Sequence, residues 1–231
     1  MFPTGFLRGG ARHRGWWLPP PPPAVVPVGV ALVVAVVILG RWLAVPGVAG
    51  ADRDLIMAVQ QWYSPNLDVV ALVLRYGLSI PVATGVLVLV GTLIWAYDRG
   101  PRRAVAFVSL AVPGWLATGV LKTLVARPRP AGLSVYGQLE GVGPHSFPSA
   151  HAAIAAGAAW AVVVVFCWHR STSMRVLGAT VGLVLVVVAG WSRVYLGVHH
   201  PGDVLGSVLL TGGMNLICWS ALVRCIDRGT A

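Results

Sequence analysis

The sequence predicts an all-α, polytopic membrane protein with six transmembrane helices and an interfacial amphipathic segment between the first and second. Three observations carry this expectation. Of 231 residues 57% are hydrophobic and only 10% are charged, with a mean hydropathy of +0.78, whereas a soluble domain carries roughly 25% charged residues. The apolar residues are gathered into six long runs, each near the ~20 residues that a bilayer-spanning helix needs. The polar residues fall between those runs, where short loops would lie.

Residues 1–23 form a basic leader with Arg8, Arg12 and Arg14, then Trp16-Trp17 and five consecutive prolines from Pro19 to Pro23. Such a proline run makes an extended spacer, not a helix, and paired tryptophans suit a membrane interface. The first apolar run, 24–45, reads as an uncleaved anchor. A signal peptide ending at Ala49-Gly50-Ala51 is the rival reading, but the run exceeds the 7–15 residues usual for a signal core. Residues 52–78 mix Asp52, Arg53, Asp54, Gln60, Gln61, Asn66, Asp68 and Arg75 with apolar positions. They predict one or two interfacial amphipathic helices broken at Ser64-Pro65. Five further spans follow, at about 79–97, 104–125, 150–168, 176–191 and 204–223. The chain thus divides into the leader, a six-helix domain over 24–224 and a tail, 225–231, with leader and tail on the cytoplasmic side.

Orientation follows from the arginines. The N-terminus, 98–103, 169–175 and the C-terminal tail must share one side. They hold Arg8, Arg12, Arg14, Arg99, Arg102, Arg103, Arg170, Arg175, Arg224 and Arg228. The opposite side holds Arg41, Arg53, Arg75, Lys122, Arg127, Arg129 and Arg193. The first set is the larger, so it is expected to be cytoplasmic, as in a bacterial-type plasma membrane protein. The net charge of +10 is scattered between apolar runs without the basic stripe of a nucleic-acid-binding face, so nucleic acid is excluded as a partner. Cys167, Cys218 and Cys225 lack metal-ligand spacing and read as small buried hydrophobes.

Three polar stretches fall together on the outer face. One is Lys122 to Pro130, at the exit of the third span, where Lys122 is the single lysine of the chain. Another is His145 to His151, at the entrance of the fourth. The last is Ser192 to Asp203, between the fifth and sixth. Each has an ordinary reading alone. Arg127 and His145 read as headgroup contacts or loop residues, Arg129 as a headgroup anchor, Pro148-Ser149 as a helix start with a serine cap, His151 as an interfacial histidine, and His200 as an interfacial or substrate-facing residue. Together they suit a phosphate ester. Lys122, Arg129 and Arg193 supply fixed positive charge. The start of the fourth span, around Ser149 and Ala150, supplies free N–H groups and the positive end of a helix dipole. Pro201 fits the first turn of the sixth span, so Asp203, four residues after His199, can accept a hydrogen bond from one ring nitrogen of that histidine. The other nitrogen is left free as a nucleophile. His151 is then the candidate acid for the leaving alkoxide. The acidic residues are too few and scattered for a magnesium site, so no metal or other cofactor is expected.

Lys122-x6-Arg129-Pro130, Pro148-Ser149-x-His151 and Ser192-Arg193-x5-His199-x3-Asp203 resemble the tripartite signature of the type 2 phosphatidic acid phosphatase superfamily, which is related to the vanadium haloperoxidases. The resemblance covers the six-helix layout. It implies that Lys122, Arg129 and Arg193 bind phosphate, with Ser149 and the N–H of Ala150. It also implies that His199 forms a phosphohistidine, that Asp203 orients it, and that His151 is the acid and base partner. Ala150 departs from the family's usual glycine, and His200 stands where an aromatic residue is frequent. The implied activity is metal-independent hydrolysis of a membrane lipid phosphate or diphosphate: undecaprenyl diphosphate, phosphatidic acid or phosphatidylglycerol phosphate. A phosphotransferase using the same site is the alternative. A lipid-binding or transport protein fits less well, because the charges lie at helix ends and not within the spans.

Overall fold

The computed structural model describes residues 21–134 and 143–228, which form nine helices. The proline-rich leader lies almost wholly outside the described residues. Six helical stretches are long and apolar enough to cross a membrane: Val25–Leu43, Ile80–Asp98, Arg102–Val125, Ala150–Cys167, Thr172–Tyr195 and Pro201–Cys225. The protein is an integral membrane protein, and the predicted spans are found in the predicted order. Their faces expose runs such as Val30, Val34 and Ile38, or Leu183, Val184 and Leu185, as expected of surface that meets lipid tails.

Helix α1 is Val25–Leu43 and the last helix, α9, is Pro201–Arg228. These two make the most extensive pairing in the molecule. Gly29 and Gly213 face each other there, so close that a methyl group on either would strike the other's carbonyl. Without a hydrophobic drive between helices in lipid, such small-residue contacts are what let backbones approach. Because α9 runs on through Arg228, residues 225–228 continue the helix.

The predicted amphipathic segment is two helices, α2 (Pro46–Gln60) and α3 (Pro65–Gly77). Both start on a proline at the first helical positions, and the Ser64 side chain caps α3 by accepting from the Leu67 N–H at 3.3 Å. The two helices pack across the ends of α8 and α9. They bury Asp52, Ile56, Asp68 and Ala71, so this segment covers the polar ends of the spans.

The third span is not one continuous helix. It breaks between α5 (Arg102–Ala111) and α6 (Pro113–Val125), because Pro113 lacks the N–H that would continue the ladder. The fourth span, α7 (Ala150–Val162), ends in a π-helical turn over Val163–Cys167 before α8, Thr172–Tyr195. The chain leaves α8 through Gly197 at φ +66, where a Cβ would collide with the Leu133 carbonyl. Only glycine fits that corner. On the same end, Phe147 is fully buried in the space left by Gly40 of α1 and Gly206 of α9. It anchors the segment that leads into α7.

The contact between α5 and α7 is equally tight. A Cβ on Gly157 would run into the Ala111 carbonyl. Gly157→Ala must therefore part the two helices, and it is expected to cost about 1–3 kcal/mol. Thermal unfolding in detergent measures this, and an unchanged midpoint would mean the two helices separate freely.

Candidate active site

The three polar stretches meet at one end of the bundle, where α6 and α8 finish and α7 and α9 begin. Helix α6 stops at Ala126, which takes a left-handed conformation (φ 53) while its N–H still bonds the Lys122 carbonyl at 3.0 Å. A left-handed alanine costs about 1–2 kcal/mol, and the turn it makes sends the next residues across the end of the bundle. Pro128 then bridges to His145. The Ser146 N–H bonds the Arg127 carbonyl at 2.8 Å. The first and second stretches are thereby one unit of backbone.

His199 sits on the short turn before α9 and is buried. Its Nδ1 lies 3.3 Å from Asp203 Oδ2, and its Nε2 lies 3.3 Å from an Arg129 amino nitrogen. These two contacts agree on one tautomer: Nδ1–H donates to the carboxylate, and the Nε2 lone pair accepts from the guanidinium. Burial pushes the imidazole down to about 3. The hydrogen bond and charge of Asp203 pull it back up, while Arg129 and Lys122 push it further down. His199 is therefore neutral near pH 7, with a lone pair directed at the cations. Asp203 has no solvent contact. Its Oδ2 also accepts the His200 N–H at 2.9 Å, and its own carbonyl accepts the Ser149 N–H at 3.3 Å.

The cations are held by carbonyl oxygens. Lys122 Nζ donates to the His145 and Ser146 carbonyls at 3.0 and 3.2 Å. Arg129 donates to the Gly143 and Val198 carbonyls, at 2.6 Å each. Arg193, buried in the last turn of α8, donates to the Ala71 carbonyl of α3 at 3.2 Å and to the Ser192 hydroxyl. Among the described residues none of the three forms a salt bridge. Burial lowers Arg129 to about 10, opposed by the charge of Asp203, so it remains a cation near pH 7. Like charges gathered this way repel one another, and a multiply charged anion would relieve them.

Ser149 caps α7 with its hydroxyl, as predicted. The first N–H groups of that helix have no partner inside it. Ala150 is the first helical residue and is not among the left-handed positions of the backbone. Alanine therefore carries no left-handed strain at this position. His151 follows, with Nε2 3.1 Å from the Arg75 carbonyl of α3. When Nε2–H makes that bond, Nδ1 is the ring nitrogen left for chemistry.

Two expectations are corrected. Arg127, read as a headgroup anchor or a loop residue, has a side chain only 1% exposed. Its two amino nitrogens reach Asp203 Oδ1 at 2.7 Å and Asp52 Oδ2 at 2.8 Å. His200, read as an interfacial or substrate-facing residue, is buried against Asp203. Sequence reasoning also missed Asp52 and the α3 carbonyls of Ala71 and Arg75. A signal for Asp52 existed, since a chain with only seven acidic residues gives each carboxylate near the bilayer a need for a cation. The carbonyls leave no trace in side-chain identity. Among the described residues no three His, Cys, Asp or Glu side chains converge as a metal site.

The putative undecaprenyl-diphosphatase YbjG of Escherichia coli K12 is 41% identical over 90 residues, which are 38% of this chain and 41% of that protein. The match thus spans less than half of that relative. The crystal structure of a transmembrane PAP2 type phosphatidylglycerolphosphate phosphatase from Bacillus subtilis superposes with a TM-score of 0.68. It covers 88% of this chain and 97% of that one at 24% identity, a likeness of fold. The model of the PAP2 superfamily matches residues 103–227, which contain all three polar stretches, and the chain belongs to that superfamily.

Proposed function

We propose that the protein hydrolyses a lipid phosphate or diphosphate without a metal ion, through a phosphohistidine on His199, at the extracytoplasmic face of the membrane. The observation that carries this reading is the environment of His199. One ring nitrogen is held by a buried carboxylate, and the other faces the Arg129 guanidinium, which forms no salt bridge among the described residues.

In the proposed reaction the substrate phosphate lies among Lys122, Arg129, Arg193 and the N–H groups at the start of α7. These groups stabilise charge that develops on its oxygens. His199 Nε2 attacks phosphorus, and the bond from phosphorus to the lipid oxygen breaks. His151, entering as the imidazolium, gives that oxygen the proton on Nδ1 while Nε2–H stays on the Arg75 carbonyl. The imidazolium formed on His199 keeps its Nδ1–H on Asp203. In the second half, water attacks phosphorus and passes a proton to His151. The N–P bond breaks, and inorganic phosphate and neutral His199 are regenerated. The charge that a metal would neutralise is here met by side chains, and the carboxylate of Asp203 is occupied by Arg127, His199 and His200.

The substrate is taken to be of the undecaprenyl diphosphate, phosphatidic acid or phosphatidylglycerol phosphate kind. The site lies at the ends of spans, where a headgroup can reach it while its chains stay in lipid. Two of these chemistries appear in the names of the E. coli and B. subtilis relatives. The outward orientation rests on the arginine asymmetry.

Phosphate release in detergent, with EDTA and no added acceptor, tests the chemistry over a panel of lipid phosphates and diphosphates. Turnover is expected to persist in EDTA, and loss of activity on chelation would end the metal-free mechanism. His199→Ala is expected to lose about 10⁴-fold or more, and Asp203→Asn on the order of 10²–10⁴-fold, because an amide no longer sets the tautomer. Full activity of His199→Ala would remove the nucleophile assignment. A requirement for an added acceptor would point to the phosphotransferase instead. Orientation has its own check. A reporter inserted after Arg102 should be labelled from the cytoplasm and one after Val198 from outside, and the reverse pattern would overturn the assigned face.

A further inference from the structure

Arg127 is one of the variable positions inside the first motif block, and its side chain is the largest of the fully buried ones among the described residues. An isolated guanidinium in such a place is costly, so its partners matter. It has two, on opposite sides. One amino nitrogen meets Asp203 Oδ1 at 2.7 Å, the other meets Asp52 Oδ2 at 2.8 Å, and its Nε is left without an acceptor. The guanidinium is thus oriented by the two carboxylates and not by the satisfaction of all its donors. Asp52 completes the chain by accepting the Gly202 N–H on Oδ1 at 3.2 Å. Gly202 permits that approach, since a Cβ there would stand 2.7 Å from Asp52 Oδ2.

The geometry constrains Asp203 at two points. Oδ2 is claimed by the His200 N–H and His199 Nδ1, and Oδ1 by Arg127. A carboxylate held by one oxygen can turn about its Cβ–Cγ bond; held by both, it has one plane. No water reaches Asp203 to replace a lost donor, because its side chain is 0% exposed. Arg127 and Arg129, two positions apart, extend towards the same residue pair, one to Asp203 and the other to His199 Nε2. The side chain of Arg127 is only 1% exposed, so it is closed to a substrate.

We propose that Arg127 is a positioning residue of the reaction. It fixes the plane of the Asp203 carboxylate, and through it the attacking direction of His199, and it is itself held by Asp52 of the interfacial helix α2. This rests on His199 being the nucleophile. It adds a connection from outside residues 103–227, the part of the chain that matches the family.

The test uses the full chain in detergent, with wild type and His199→Ala assayed first for phosphate release. If those two do not differ, the functional reading fails before Arg127 is examined. Given the expected difference, Arg127→Gln should lower kcat by about 100-fold, the cost of a small misplacement of reacting groups. KM for the lipid phosphate and inhibition by inorganic phosphate should stay unchanged, since the phosphate-binding groups are untouched. Arg127→Lys should fall between wild type and Arg127→Gln, because a single ammonium keeps the charge but cannot bridge both carboxylates.

The separating measurement is the double variant Arg127→Gln with Asp52→Asn, which removes the buried carboxylate that Arg127→Gln leaves unpaired. Its Tm should recover towards wild type while kcat stays low, because Oδ1 of Asp203 still lacks the Arg127 guanidinium. Recovery of kcat together with Tm would show that Arg127 acts only on the fold, and would overturn the proposal. An unchanged kcat in Arg127→Gln would do the same. If Arg127→Gln alone does not fold, the double variant and Arg127→Lys carry the same comparison.

Discussion

A carboxylate sealed away from water has to be answered by charge and by hydrogen bonds. That requirement at Asp203 organises this end of the bundle. Its two oxygens draw in the turn before α9, the segment after α6, and through Arg127 the middle of α2. Its backbone carbonyl draws in the residue that caps α7. Four parts of the chain that are distant in sequence are thus fixed relative to one another by a single side chain and its peptide. Removing one partner of such a pair leaves its neighbour as an uncompensated buried charge, so the members stand or fall together.

Around this centre the cations are treated differently. Lys122, Arg129 and Arg193 are satisfied by peptide oxygens, which orient a charge without cancelling it. The chain places its buried carboxylate behind His199 and carbonyls around the three cations. An anion entering that pocket meets cations still available to it. Helix ends favour the location as well, since they carry unpaired N–H groups and lie at the depth where a lipid headgroup sits.

The spans, their order and the meeting of the three polar stretches were legible because hydropathy and the parity of crossings need no tertiary information. The contact of His199 with Asp203 was legible because a spacing of four at a helix start nearly dictates it. Arg127 was misread because an arginine just before a proline looks the same in a solvated loop and in a buried ion chain. Its burial depends on Asp52, 75 residues away, and no local pattern reports that. The break before Pro113 has a clear local cause, yet hydropathy passes over it. The docking of α3 on Arg193 and His151 was beyond reach because it uses main-chain atoms.

That last feature divides the two interfacial helices. Helix α2 reaches the centre with a specific side chain, Asp52, and any replacement there alters the charge balance. Helix α3 hydrogen-bonds Arg193 and His151 through the carbonyls of Ala71 and Arg75, which every amino acid possesses. Its outward face, with Val69, Val73 and Tyr76 exposed, can be rewritten for a thicker, thinner or more anionic bilayer without removing a hydrogen bond from Arg193 or His151. Adaptation to a host membrane thus has a surface on which to proceed, a helix turn away from residues that tolerate no such change.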